Sequence, residues 1–243
     1  MATVQAAVLA LQGSVEPHLR SLHAAGAEPI EVRKPAELDG ITHLVIPGGE
    51  STTLHHLLKI HGLDQQIPER VRAGSLALLG TCAGAILMGK NPEQAPPRFE
   101  LIDVDVDRNA YGRQIHSFVG EVDWQSGPGP GTGEGVFIRA PKFVRIGEGV
   151  NVIARREDEV VAVQQDRCVA CCFHPELTTD PRLHRWFLGS DPHPLCAWDS
   201  RFSSRTVILP GHTGYSLDQE PLTQDYACTG NPSDSGMWAR RFR

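Results

Sequence analysis

The stretch Ser75-Leu76-Ala77-Leu78-Leu79-Gly80-Thr81-Cys82-Ala83-Gly84 decides the fold. An apolar run of strand length ends in a glycine, and small residues then lead into helical sequence from Ala83. This reads as a buried strand, a tight turn and a helix. The pattern is Gly-x-nucleophile-x-Gly, with cysteine where hydrolases often carry serine. Small flanking residues permit the sharp turn that lifts the side chain off the sheet edge. A thiol at a helix N-terminus is also placed where the macrodipole favours the reactive thiolate.

Taken alone, Cys82 reads equally well as a small buried hydrophobe. A second element shifts the balance. The strand-like run Val169-Ala170-Cys171-Cys172-Phe173 ends in His174-Pro175-Glu176, an imidazole and a carboxylate two residues apart. Cys82, His174 and Glu176 together supply a nucleophile, a base and an orienting acid. Both elements fall at C-terminal ends of predicted strands, where open α/β sheets place their sites. A third run, Leu44-Val45-Ile46-Pro47-Gly48-Gly49-Glu50-Ser51-Thr52-Thr53, is an apolar strand entering two glycines, with Ser51 or Thr52 as the expected helix cap. Glycines there let backbone N–H groups approach a ligand, as an oxyanion hole requires. By itself this run reads as an ordinary strand-to-helix turn.

Working outward, Val4–Leu11 is a continuous apolar run, the mark of a parallel strand covered on both faces. Gln12-Gly13-Ser14 is a turn, and Val15, Leu19 and Leu22 then keep helical spacing up to Gly26. Strands are predicted at Pro29–Val32 and Ile41–Ile46, and helices over about Thr52–His61 and Asp64–Ala73. The alternation implies a three-layer, mostly parallel open sheet with helices on both faces, an α/β flavodoxin-like class. After Gly89 short strands follow at Leu101–Val106, Phe118–Trp124, Val136–Ile138, Phe143–Ile146, Val152–Ala154 and Val160–Val163, suggesting an antiparallel extension of the sheet. Gly127–Gly131 reads as a flexible surface loop. Residues from Thr178 to Pro181 start a final helix through His184, Phe187 and Leu188.

A length of 243 residues allows one α/β domain with a substantial core, and a net charge of −6 argues against nucleic acid as the main partner. No apolar segment is long enough to span a bilayer, and the N-terminus carries no charged n-region of a secretory signal. Cys82, Cys168, Cys171, Cys172, Cys196 and Cys228 show no disulfide framework, and a required free thiol favours a reducing cytoplasm. Cys168, Cys171 and Cys172 lie in an apolar strand whose adjacent residues point to opposite faces, so no metal site is expected. His55, His56 and His61 read as a solvated helix face.

Four blocks in order, Pro47-Gly48-Gly49-Glu50-Ser51-Thr52-Thr53, Gly80-Thr81-Cys82-Ala83-Gly84, Arg108-Asn109-Ala110-Tyr111-Gly112-Arg113-Gln114 and Phe173-His174-Pro175-Glu176-Leu177-Thr178, resemble the glutaminase-subunit family of pyridoxal 5′-phosphate synthase (the PdxT family), which are class I triad glutamine amidotransferases. The likeness covers about residues 3–188. It implies hydrolysis of L-glutamine to glutamate and ammonia through a Cys82 thioester, for vitamin B6 synthesis: a hydrolase, and a lyase within the complex. It implies a glutamine pocket of Gly48, Gly49, Glu50, Arg108, Ile138 and Arg139, with oxyanion donors from Ala83 and Gly48-Gly49. Glu50 suits the substrate ammonium and Arg108 its carboxylate. No metal or organic cofactor is implied.

Because ammonia would otherwise be protonated and lost to solvent, direct transfer to a synthase is expected. The resemblance implies a PdxS-type (β/α)8-barrel partner, in a 12+12 complex where docking activates the glutaminase and Gln12-Gly13 lies near the interface. It implies no nucleic-acid or membrane partner. Competing readings are the glutaminase subunit of another amidotransferase and a DJ-1-like protein that is not an amidotransferase. From about Gly189 the sequence loses periodicity and matches nothing in the family. The expected division is therefore 1–188 as the amidotransferase domain and 189–243 as an unmatched tail, disordered or noncognate.

Overall fold

The structure is a computed structural model that describes residues 4–90, 99–108 and 117–189. The block 109–116 and nearly all of the expected tail, 190–243, lie outside the described residues.

The chain runs β1 (Ala6–Leu9), α1 (Val15–Ala24), β2 (Ile30–Val32), β3 (His43–Ile46), α2 (Ser51–Ile60), α3 (Leu63–Arg72), β4 (Ala77–Thr81) and α4 (Ala83–Met88). It continues through β5 (Val104–Asp107), β6 (Phe118–Trp124), β7 (Gly131–Phe137), β8 (Lys142–Ile146), β9 (Asn151–Arg156), β10 (Glu159–Gln165), β11 (Cys168–Cys171) and α5 (Arg182–Gly189). Short 3-10 turns at Pro35–Leu38 and Pro175–Leu177 complete it.

Nine strands form one sheet in the order β2-β1-β3-β4-β11-β10-β9-β6-β7. The first five are mutually parallel, and the remaining four extend the sheet antiparallel. Successive strand residues point to opposite faces, and the core divides accordingly. Leu9, Leu44, Ile46, Leu78 and Ala170 pack on one side with Leu54 and Leu58 of α2, Leu63 and Ile67 of α3 and Met88 of α4. Val8, Val45, Leu79, Val169 and Cys171 pack on the other with Leu22 of α1 and Leu183 and Phe187 of α5. Strands buried on both faces read as uninterrupted apolar runs, which makes them legible in the sequence.

Two expectations need correction. β5 and β8 do not join the main sheet but pair with each other as an antiparallel ribbon. Their valines join the α2–α4 side of the core, while Asp103 and Asp105 engage Arg145, and Asp103 also Lys90. The Gly127–Gly131 segment connects β6 to β7 at the surface, as expected. Gly127 packs on the Trp186 ring of α5, and Gly131 already belongs to β7. His55 is half-buried rather than solvated, and its Nδ1 is buried with no partner among the described residues.

The turn after β4 depends on close backbone approach. A Cβ on Gly80 would lie 2.7 Å from the Gly84 carbonyl carbon and collide with Met88 Sδ, and one on Gly84 would collide with the Ile46 carbonyl oxygen. Within a helix, alanine is ordinarily favoured over glycine by about 1 kcal/mol. Here the collision is with backbone, which cannot rotate away, and overpacking of this kind costs about 1–3 kcal/mol. Gly84→Ala therefore lowers the thermal unfolding midpoint instead of raising it. An unchanged or higher midpoint would show that β3 and α4 are not in this contact.

Candidate active site

Four neighbouring parallel strands, β1, β3, β4 and β11, end at one edge of the sheet, and each hands a different group to the same place. β1 leads to Gln12-Gly13, β3 to Gly48-Gly49-Glu50, β4 to Cys82 and β11 to His174. A cleft of about 300 Å³ lies among them, lined by Gly13, Ser14, Gly48, Gly49, Glu50, Ser51, Cys82, Ile86, Arg108, Ile138, Arg139 and His174.

Cys82 is the residue between β4 and α4, with φ 48° and ψ −101°. Positive φ is costly for a residue with a Cβ, on the order of 1–3 kcal/mol, and persists only where its surroundings enforce it. They do so here: the Cys82 N–H donates to the Cys171 carbonyl at 2.9 Å and its carbonyl accepts from Ile86 N–H at 3.1 Å. The thiol is turned toward the Ile138 carbonyl, with Sγ 3.9 Å away.

His174 is anchored by its N–H to the Val136 carbonyl of β7 at 2.8 Å. The preceding Phe173 is fully buried against Phe137 and Trp124. The His174 Nδ1 meets Glu176 Oε1 at 2.7 Å, which leaves the Nε2 edge of the ring for proton transfer. Gly48 presses on both Cys82 and His174. A Cβ there would run into the His174 ring and lie 3.2 Å from Cys82 Cβ. Gly13 in turn leaves no room for a Cβ against the Gly48 carbonyl, and Gln12 Nε2 donates to the Glu50 carbonyl at 2.8 Å.

Burial opposes charge on His174, but hydrogen bonds to Cys82 and Glu176 outweigh it and hold the imidazolium up to about 10. For Glu176, burial favours the neutral acid, yet His18 and His174 bring the carboxyl below its usual range. An ionised Glu176 paired with a protonatable His174 beside a thiol is chemistry suited to nucleophilic attack and acyl transfer.

Glu50, not Ser51 or Thr52, caps α2, with its carboxylate accepting from Thr53 N–H at 2.7 Å. Ser51 is instead the first, buried helical residue. The backbone hydrogen bond from Thr53 lowers the Glu50 pKa and fixes a carboxylate at the cleft wall. Arg108, just beyond β5, donates from Nη1 to Thr52 Oγ1 at 3.1 Å. Ile138 and Arg139 follow β7, and Arg139 holds φ 45°. Apart from Glu176, which sits behind His174, the cleft gathers every residue expected from the sequence except Ala83, which is fully buried at the start of α4 beside Cys82.

His18 and His184 carry no sequence motif that marks them. His18 occupies position i+3 of the Val15–Leu19–Leu22 stripe, so its place on the buried face of α1 is available from spacing. Both histidines are completely buried, and burial pushes them down to about 4 for His18 and about 3 for His184. Cys168, Cys171 and Cys172 are buried free thiols, raised by burial and so unreactive. Among the described residues no cluster of His, Cys, Asp or Glu is arranged to hold a metal ion, and no helix is long and apolar enough to cross a membrane.

The model of the SNO glutamine amidotransferase family matches residues 8–190. The chain is 50% identical over 185 residues to the pyridoxal 5′-phosphate synthase subunit PdxT of Thermus thermophilus, covering 74% of this chain and 94% of the relative. It is 46% identical over 186 residues to the subunit of the same name from Pelotomaculum thermopropionicum, covering 74% and 92%. A solved structure described as a glutamine amidotransferase superposes with a TM-score of 0.70 at 48% identity, over 76% of this chain and 97% of that one. PurLQS from Thermotoga maritima shares the fold at a TM-score of 0.58 and 15% identity, over 76% and 98%.

A raised His174 pKa has a stability consequence. The imidazolium's contribution is fully present below its ordinary value of 6.5 and is lost as the pH rises through about 10. Denaturant unfolding across that window should show a loss in the parent chain that is smaller in Glu176→Gln, which removes the anion at constant size. Equal losses in both would show that the pair is not ionised.

Proposed function

The chain belongs to the SNO glutamine amidotransferase family, and on that premise we propose that it works as the glutaminase subunit of a pyridoxal 5′-phosphate synthase, with Cys82, His174 and Glu176 as its catalytic residues. The observation that carries this reading is the convergence of all three at the adjoining ends of β4 and β11, with His174 Nδ1 and Glu176 Oε1 2.7 Å apart.

Cys82 Sγ attacks the side-chain amide carbon of L-glutamine. The proton of the Cys82 thiol, held on His174 as the imidazolium, passes to the departing nitrogen, so ammonia leaves and a γ-glutamyl thioester remains. Water, activated by the same imidazole, then releases glutamate. Glu176 fixes the ring orientation and balances the imidazolium. The Ala83 N–H opens α4 and so lacks an intrahelical acceptor; with a donor from Gly48-Gly49 it stabilises the oxyanion. Arg108 holds the substrate carboxylate and Glu50 its ammonium, with Ile138 and Arg139 closing the far wall. Residues 1–188 carry the reaction, and a free thiol nucleophile suits the reducing cytoplasm.

The PdxT relatives are named as subunits of a synthase, so a synthase receives the ammonia. Its form is a PdxS-type (β/α)8 barrel, in a 12+12 assembly. The Gln12 and Gly13 contacts with the Gly48–Glu50 loop give a docked partner a direct mechanical route to the oxyanion donors.

The test is glutamate release by the purified chain with and without a PdxS-type synthase. Strong stimulation is expected, abolished by Cys82→Ala. Gly48→Ala should lower kcat by about 100-fold, because a ring displaced by an ångström loses that much. Absence of release in both conditions would contradict the reading.

A further inference from the structure

Behind the triad lies a buried polar cluster that the reaction as described does not use. His18 of α1 places Nδ1 2.9 Å from His184 Nε2 of α5. Its Nε2 lies 3.1 Å from Thr81 Oγ1, on the residue before Cys82, and 3.4 Å from Glu176 Oε2. Glu176 Oε1 is committed to His174, while Oε2 is buried and has no hydrogen-bond partner among the described residues, His18 Nε2 lying near it at 3.4 Å.

The proton positions follow from what each buried atom can reach. His184 Nδ1 is buried and has no partner among the described residues. An orphaned buried N–H is rarer and costlier than a bare acceptor, so the His184 proton sits on Nε2 and is donated to His18 Nδ1. Neutral His18 then carries its own proton on Nε2, where Thr81 Oγ1 accepts it at 3.1 Å and Glu176 Oε2 lies 3.4 Å away without a hydrogen bond of its own. Burial keeps both rings neutral. Which nitrogen of a histidine is protonated is thus set by the hydrogen bond at its other nitrogen.

We propose that His18 is a positioning residue of this site: its Nε2–H, fixed by the hydrogen bond from His184, faces the second oxygen of Glu176 and keeps that carboxylate ionised and aimed at His174. The inference rests on the glutaminase reading for its kinetic consequence but not for its geometry. The titratable groups facing Glu176 are His18, His174, His184 and the buried Cys171 thiol; those facing His18 are Glu176, His174 and His184.

The experiment compares the parent chain, His18→Leu and His18→Gln, each assembled with its synthase, by steady-state glutaminase kinetics against pH. In parallel, 15N NMR of histidine-labelled protein reads the tautomers. His18→Leu should lower kcat by about 10–100-fold, the scale for losing the partner that orients an active group. KM should change little, and the acidic limb of the pH profile should move upward because Glu176 protonates more easily. His18→Gln, which returns an N–H to the same region, should recover most of the kcat. In the parent, His18 should be the neutral Nε2–H tautomer and should not titrate near 6.5. The proposal is overturned if His18→Leu retains kcat and the acid limb, if Gln is no better than Leu, or if His18 is the Nδ1–H tautomer. Should the parent release no glutamate at all, the glutaminase reading fails, and the NMR tautomer still decides the role of His18.

Discussion

Keeping a carboxylate charged inside the protein is the constraint on which this site depends. Glu176 is only 5% exposed, and removing an ion from water costs several kcal/mol even after relaxation. That cost is tolerable only because one oxygen meets His174 at 2.7 Å and the other faces His18. The groups that hold it are drawn from three separate elements: α1, α5 and the segment after β11. A defect in the packing of either helix therefore reaches His174 through the carboxylate.

The second constraint is steric. Gly13, Gly48, Gly80 and Gly84 allow consecutive layers of backbone to touch, from the turn after β1, through the β3 loop and His174, to the elbow at Cys82 and α4. No side chain fits between them. Geometry that brings a strained cysteine, an imidazole and the glycine loop after β3 within contact leaves no room for even a methyl group. The fold's topology makes such an approach possible, since the four strands that supply these segments are neighbours in a parallel sheet and end at the same edge.

Much of this is legible in the residues. Buried parallel strands are uninterrupted apolar runs, and the glycine-flanked Cys82 and the His174-Pro175-Glu176 sequel need no tertiary knowledge to be noticed. What local pattern does not supply is partnership. The alternating Asp and Val of β5 mark a strand without saying which strand it joins, so its pairing with β8 alone is not visible in the sequence. Glu50 displaces Ser51 and Thr52 as the cap of α2 because the chain enters the helix one residue earlier than composition suggests. His18 and His184 are 166 positions apart, and nothing in either segment announces that the two rings meet behind a third residue.

The most direct measurement of the central claim is to trap the covalent intermediate. The chain, bound to its synthase, is mixed with L-glutamine, quenched in acid, digested and analysed by peptide mass spectrometry. The account predicts a γ-glutamyl adduct on the peptide containing Cys82, depleted when Glu176 is replaced by Gln and absent when Cys82 is replaced by Ala. An adduct on Cys168, Cys171 or Cys172, or glutamate formed with no adduct on any cysteine, would contradict it.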